Sequence, residues 1–254
     1  LVGWAFNRGG DRLKVVNINS WGKMIIGAAG ESGCFAGCSN LTINPTAGSP
    51  VSPATTSLTS CFRDCTSLNS TNVATWDMSE VQNISKMFFG CTAFNVDLSS
   101  WNTAAVTDMS YLFDGCTSFN NGALTNVGNV PLTWTTDAVT TTKFMFHSCH
   151  AFNQRIVFSN LPLVTICSSM FASCSLFNNG DVTNAGGQPL NLQFSNHLES
   201  ADTMFFNATA FNQTITFGTP TRLLYANGMF YCTTPGVSVF NNGNVTNAAT
   251  KPFD

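Results

Sequence analysis

One eight-residue pattern recurs along almost the whole chain and limits what it can fold into: an aromatic, two residues, a cysteine, two residues, an apolar residue and an asparagine. It reads Phe62-Arg-Asp-Cys65-Thr-Ser-Leu68-Asn69, then Phe88 to Asn95, Phe113 to Asn120, Phe146 to Asn153, Phe171 to Asn178, and Phe205 to Asn212 with Ala208 in the cysteine place. A looser copy starts at Phe35 with Cys38 and Leu41, and a stretched one runs from Phe230 to Phe240 and Asn241, which makes eight. Successive first aromatics are 27, 26, 25, 33, 25, 34 and 25 residues apart. A period of this size marks units too small to bury their own apolar face, which they bury against neighbours.

Within each unit the apolar positions keep fixed offsets. Val81, Val106, Val139, Val164, Leu198 and Leu223 stand seven residues before the aromatic, and Met87, Leu112, Met145, Met170, Met204 and Met229 one before it. These offsets define one inward stripe. The Met-Phe-x-x-Cys piece has the spacing of a single helical turn, and Phe-Asn-x-x-Leu with the following Ser and Trp reads as a short extended segment. The fold class expected is therefore an α/β repeat solenoid, a leucine-rich-repeat-like stack of about eight coils, each a short strand plus a short helical or 3₁₀ turn. With strands about 4.8 Å apart such a body is roughly 35 to 40 Å long. The two aromatics fill its interior, the cysteine serves as a compact hydrophobe where coils approach, and the asparagine bonds backbone of the next turn.

Val106-Thr-Asp-Met109-Ser-Tyr-Leu-Phe113-Asp-Gly-Cys-Thr-Ser-Phe119-Asn120 and Asn95-Val-Asp-Leu-Ser-Ser-Trp101-Asn102 resemble the BspA-like leucine-rich-repeat surface proteins, most closely from Cys61 to Phe119 and in degraded form to Asn241. The segments from Gly9 and from Trp21 are similar to the strand-rich cap of such arrays. The resemblance implies a strand-rich cap over residues 1–33 and one continuous repeat domain over 34–254. It implies display on a cell or virus surface, adhesive or architectural roles, and no catalytic residues to carry over.

From Phe88 onward the spacings alternate, so the larger unit is a pair of coils 58 or 59 residues long. Every second coil carries an insertion that opens Asn-Asn-Gly and closes on proline: Asn120 to Pro131, Asn178 to Pro189, and Asn241 to Pro252. Asn-Gly favours tight turns with positive φ. Equivalent insertions emerge on one face, so these form a row about 9.6 Å apart. Asn121, Asn126, Asn179, Asn184, Asn242 and Asn247 are its candidate binding residues, for glycans or surface proteins. Covering the strand edge is the alternative use of this row.

Charged residues make up 9% of the chain and the net charge is −3, which offers no basic surface to nucleic acid. No apolar run approaches the roughly 20 residues of a membrane helix. The chain starts at Leu1, so a targeting segment either was removed or lies outside this sequence. Ten cysteines, few lysines and abundant Ser, Thr and Asn point to an extracellular, cell-surface or virion-surface protein. Sequons occur at Asn40, Asn69, Asn83, Asn207, Asn212 and Asn244.

Cys34 and Cys61 occupy a place that is Met or Leu elsewhere, in adjacent coils about 5 Å apart, within disulfide range. Cys38 with Cys65 is the next candidate pair. His147, Cys149 and His150 fall at unlike positions of the repeat, which argues against a metal site. Asp97, Asp108 and Asp114 lack the distinctive pairing that glycosidic chemistry needs. No catalytic residue, cofactor site or metal site is expected. The last insertion stops at Lys251-Pro-Phe-Asp254 without a polar cap, and an uncovered end invites docking on another copy. The function expected is thus non-enzymatic: a structural or adhesive solenoid, with head-to-tail filament assembly of its own copies, or a recognition module that uses the insertion row.

Overall fold

The computed structural model describes residues 5–27, 32–125, 128–183 and 187–233. Regular secondary structure is sparse among them. Two 3₁₀ segments cover Arg12–Lys14 and Thr71–Thr75, and four short strands are β1 (Asn17–Ile18), β2 (Thr42–Ile43), β3 (Leu190–Phe194) and β4 (Ile215–Gly218). They form two separate parallel pairs, β1 with β2 and β3 with β4. The α/β leucine-rich-repeat solenoid expected from the spacing, with a strand and a helical turn in each coil, is therefore not the fold of this chain. Turns and loops make up nearly all of it, and the cap before Gly27 holds a single two-residue strand rather than a strand-rich layer.

The physical reason lies in the backbone around each first aromatic. In the copy at Phe62, Cys61 N bonds Leu58 O, Arg63 N bonds Ser60 O and Cys65 N bonds Phe62 O, a run of overlapping i to i+3 turns. The amides between them turn outward instead: Ser60, Phe62 and Asp64 donate to Ser85, Met87 and Phe89 of the next copy at 2.7–2.9 Å. This alternation needs left-handed residues, Ser60 at φ 55° and Asp64 at φ 60°, and those end any helix. The same two places are left-handed at Lys86 and Gly90, Tyr111 and Gly115, Phe144 and Ser148, Ser169 and Ser173, and Thr203 and Asn207.

What repeats is side-chain register. Phe35, Phe62, Phe88, Phe113, Phe146, Phe171, Phe205 and Phe230 stack in one column, with ring centroids 5.3–5.9 Å apart. Phe94, Phe119, Phe152, Phe177 and Phe211 form a second column at 5.5–6.1 Å. The steps are as even across the long spacers as across the short ones: 5.8 Å from Phe88 to Phe113 and 5.6 Å from Phe113 to Phe146. The insertions therefore leave sideways without stretching the stack. Each buried ring is worth about 1.5–3 kcal/mol over exposure.

Polar groups close the gaps between copies. The column thiols donate backward, Cys65 to Phe35 O, Cys91 to Phe62 O, Cys116 to Phe88 O, Cys149 to Phe113 O and Cys174 to Phe146 O, at 2.7–3.1 Å. Each of these carbonyls also takes the amide three residues on, so both lone pairs are used. The asparagine column forms a side-chain ladder: Asn95 N bonds Asn69 Oδ1, Asn120 N bonds Asn95 Oδ1, Asn153 N bonds Asn120 Oδ1, Asn178 N bonds Asn153 Oδ1 and Asn212 N bonds Asn178 Oδ1. A side chain thus occupies the place of a backbone strand ladder, which is why no strand forms there. At the first copy, Phe6, Asn7 and Arg8 N bond Cys34, Gly33 and Ala36 O at 3.0 Å and cover its outer side.

Candidate functional surface

The insertion loops are built from their opening Asn-Asn-Gly. Asn121 and Asn179 are left-handed, at φ 50° and 51°, and are 0% and 1% exposed. Asn121 Oδ1 takes Leu98 N at 2.9 Å while its Nδ2 bonds Ser99 Oγ and Val130 O, so it ties the loop's two ends to the previous copy. Asn179 does the same with Ile156 N, Gln188 O and Pro189 O. These two asparagines, expected as binding residues, are used up inside the fold. Asn126, Asn184, Asn242 and Asn247 lie outside the described residues.

The two described loops touch rather than stand apart as a row. A Cβ on Gly128 would lie 2.5 Å from Gly180 Cα, a contact that only glycine permits. Asp181 anchors the second loop. Burial alone would raise its carboxyl, but hydrogen bonds from Thr183, Gln213 and the Gly187 amide outweigh this and hold it below the usual range. The loops present Leu124 and Val182 outward, 97% and 58% exposed.

A second surface runs along the outside of the turns. Lys86, Tyr111 and Phe144, the left-handed residues two before their first aromatics, and Arg63, Phe89, Asp114 and His147, one after theirs, are half-buried and lie outside the core cluster. Lys86 Nζ sits 5.3 Å from the Tyr111 ring, Tyr111 stacks on Phe144 at 4.9 Å and 3°, and Lys143 Nζ lies 5.5 Å from the Phe144 ring. Arg63 covers Phe89 at 4.7 Å. Asp64 pairs with Arg8 at 3.2 Å and Arg63 at 3.5 Å, and Asp114 bonds His147 Nδ1 at 2.7 Å. Sequence reading passed over this face because it followed the inward offsets. The available signal was bulky Lys86, Tyr111 and Phe144 where other copies carry Ser60 and Ser169.

The remaining candidates are dispersed. Cys34 and Cys61 are buried thiols joined by a side-chain hydrogen bond and not by a disulfide, and Cys38 and Cys65 are buried and unlinked. Burial raises the thiols, Cys38 to about 11 with Arg12 pulling it back, and Cys61 well above its usual value. Asn40 and Asn69 are exposed, Asn83 and Asn207 half-buried, and Asn212 is 4% exposed and sealed; Asn244 lies outside the described residues.

Ser148 Oγ lies 3.5 Å from His147 Nε2, on the far side of the imidazole from Asp114, which has the connectivity of a hydrolytic relay. The amides beside it are already engaged, Ser148 N with Ala172 O, Cys149 N with Phe146 O and Gly115 N with His147 O, so no pair of donors is left for an oxyanion. Among the described residues no group of three His, Cys, Asp or Glu could hold a metal ion. Nor is any described helix long and apolar enough to cross a membrane. Two shallow grooves, of about 310 and 410 Å³, both lie at the first copies, one beside Ile43 and Asn69 and one beside Trp21 and Phe35.

A family profile described as "Mycoplasma protein of unknown function, DUF285" matches residues 56–185 and again residues 132–235. No curated protein and no solved structure matches the chain.

Proposed function

From the premise that the chain belongs to the DUF285 family, which is related to the BspA-like proteins without being established as leucine-rich-repeat, we propose that it is a non-enzymatic surface protein with a structural or adhesive role. The observation that carries this is the uninterrupted core. Buried side chains run from Trp21 to Ile215 in one cluster, and the chemistry-bearing residues are spread along its outside instead of converging on a cleft. Phe6 and Arg8 take Cys34 O and Ala36 O, two of the first-copy carbonyls equivalent to those that join successive copies.

Immunogold labelling of intact source cells or particles tests the role. Label on the outer surface is the expected result; label confined to the interior removes the proposal.

A further inference from the structure

We propose, building on the surface role above, that the outward ribbon of Lys86, Tyr111, Phe144 and Lys143 docks a carboxylated polysaccharide, a linear sugar polymer with widely spaced acid groups. Charge comes first. Neither Lys86 nor Lys143 has a carboxylate partner among the described residues, whereas Asp64 on the same face is paired with Arg8 and Arg63, and Asp114 is hydrogen-bonded to His147. Each ammonium lies against a ring and keeps hydrogens for a ligand.

Backbone conformation is the second, independent observation. Lys86, Tyr111 and Phe144 sit at φ 56°, 57° and 56°, which bulky side chains disfavour, while Ser60 and Ser169 make the same turn at 55° and 56°. The fold does not require large residues there. Strain retained where a small residue would serve points to use of the side chain itself.

Ring geometry then selects the ligand. Tyr111 and Phe144 each cover one face of the other, Lys86 lies over the Tyr111 ring, and Lys143 and His147 pack against Phe144, so little flat ring face is left for a neutral sugar; the pair offers edges and a phenol hydroxyl that has no hydrogen bond among the described residues. Recognition falls to the flanking ammoniums and edge-on packing. The two lysines belong to copies two steps apart, each step 5.6–5.8 Å in the first Phe column. Sparse cations of this kind suit a polymer of sparse carboxylates better than duplex DNA, which carries a charge about every 1.7 Å.

The test is titration of the whole chain with hyaluronan oligosaccharides, with neutral dextran, heparin and a short DNA duplex as comparisons. Hyaluronan binding is expected, weakened on going from about 0.05 M to about 0.5 M salt. The double variant Lys86→Ser and Lys143→Ser should lose about tenfold or more. Serine fills both places in other copies, at Ser169 and Ser110, so the fold is retained, which an unchanged melting midpoint checks. A second pair, Tyr111→Ser with Phe144→Ser, should also weaken binding, and Leu124→Ser on the insertion loop should not. No hyaluronan binding, equal binding to dextran, tighter binding to DNA, or undiminished binding by the lysine variant overturns the proposal. Surface label without hyaluronan binding defeats this inference alone, and hyaluronan binding by an internal protein defeats only the surface role.

Discussion

Replacing Asn153 with alanine isolates what the asparagine ladder contributes. Asn153 is 2% exposed, and its Oδ1 accepts Asn178 N at 2.7 Å and Gly180 N at 2.9 Å. Truncation strands both amides where water cannot readily replace the acceptor. A buried donor left unsatisfied costs about 1–3 kcal/mol, and Gly180 N, being only partly buried, falls at the low end, so the expected loss is about 2–4 kcal/mol. Asn69 provides the control. It holds one amide, Asn95 N at 2.9 Å, at an exposed position, so Asn69→Ala should cost about 1 kcal/mol or less, because water takes over the bond. Urea midpoints of the two variants give the difference, and hydrogen exchange locates it. In Asn153→Ala the amides of Asn178 and Gly180 should lose protection while those across the Phe88 copy keep it. Equal losses in both variants, or preserved protection at Asn178, would show that the ladder merely decorates a stack held by rings alone.

Three further outcomes follow from the same geometry. Ser173→Gly should raise stability by about 0.5–1 kcal/mol, since a left-handed non-glycine costs about 1–2 kcal/mol and glycine's added freedom when unfolded takes back about 0.5–1 kcal/mol; a lower melting temperature contradicts this. The buried thiols predict alkaline weakening. Their folded pKa values lie above the ordinary 9.0, so their stabilisation is whole below pH 9 and falls as pH rises, through about 11 for Cys38, at about 1.4 kcal/mol per pH unit for each thiol; a flat urea midpoint from pH 8 to 11 refutes it. In a glycosylating host, mass spectrometry should find sugar on exposed Asn69 and none on Asn212, which is 4% exposed and whose amide is bound in the ladder; occupancy at Asn212 in folded chain is incompatible with the structure.

The inward side chains were legible because their offsets recur: Val106, Leu112, Phe113, Cys116 and Phe119 are all 0% exposed, as fixed spacing from a repeated aromatic requires. The backbone between them was not legible in the same way. Apolar residues at i and i+3 suit one helical turn and overlapping β-turns equally. The discriminating residues were Asp64, Gly90, Gly115, Ser148, Ser173 and Asn207, two places after each aromatic, all small or turn-forming because φ there is positive. The Asn-Gly at 121–122 correctly marked a turn, but composition could not tell that Asn121 faces the core. Its environment is made by Leu98, Ser99 and Val130, residues 9 to 23 positions away.

The even ring step across spacers of 25 and 33 residues uncouples the height of the ring stack from the length of the chain that leaves it sideways. A gene can therefore lengthen such a stack by duplicating a two-copy cassette, provided each new loop keeps the opening asparagine that ties it to the preceding copy and the glycines through which neighbouring loops touch.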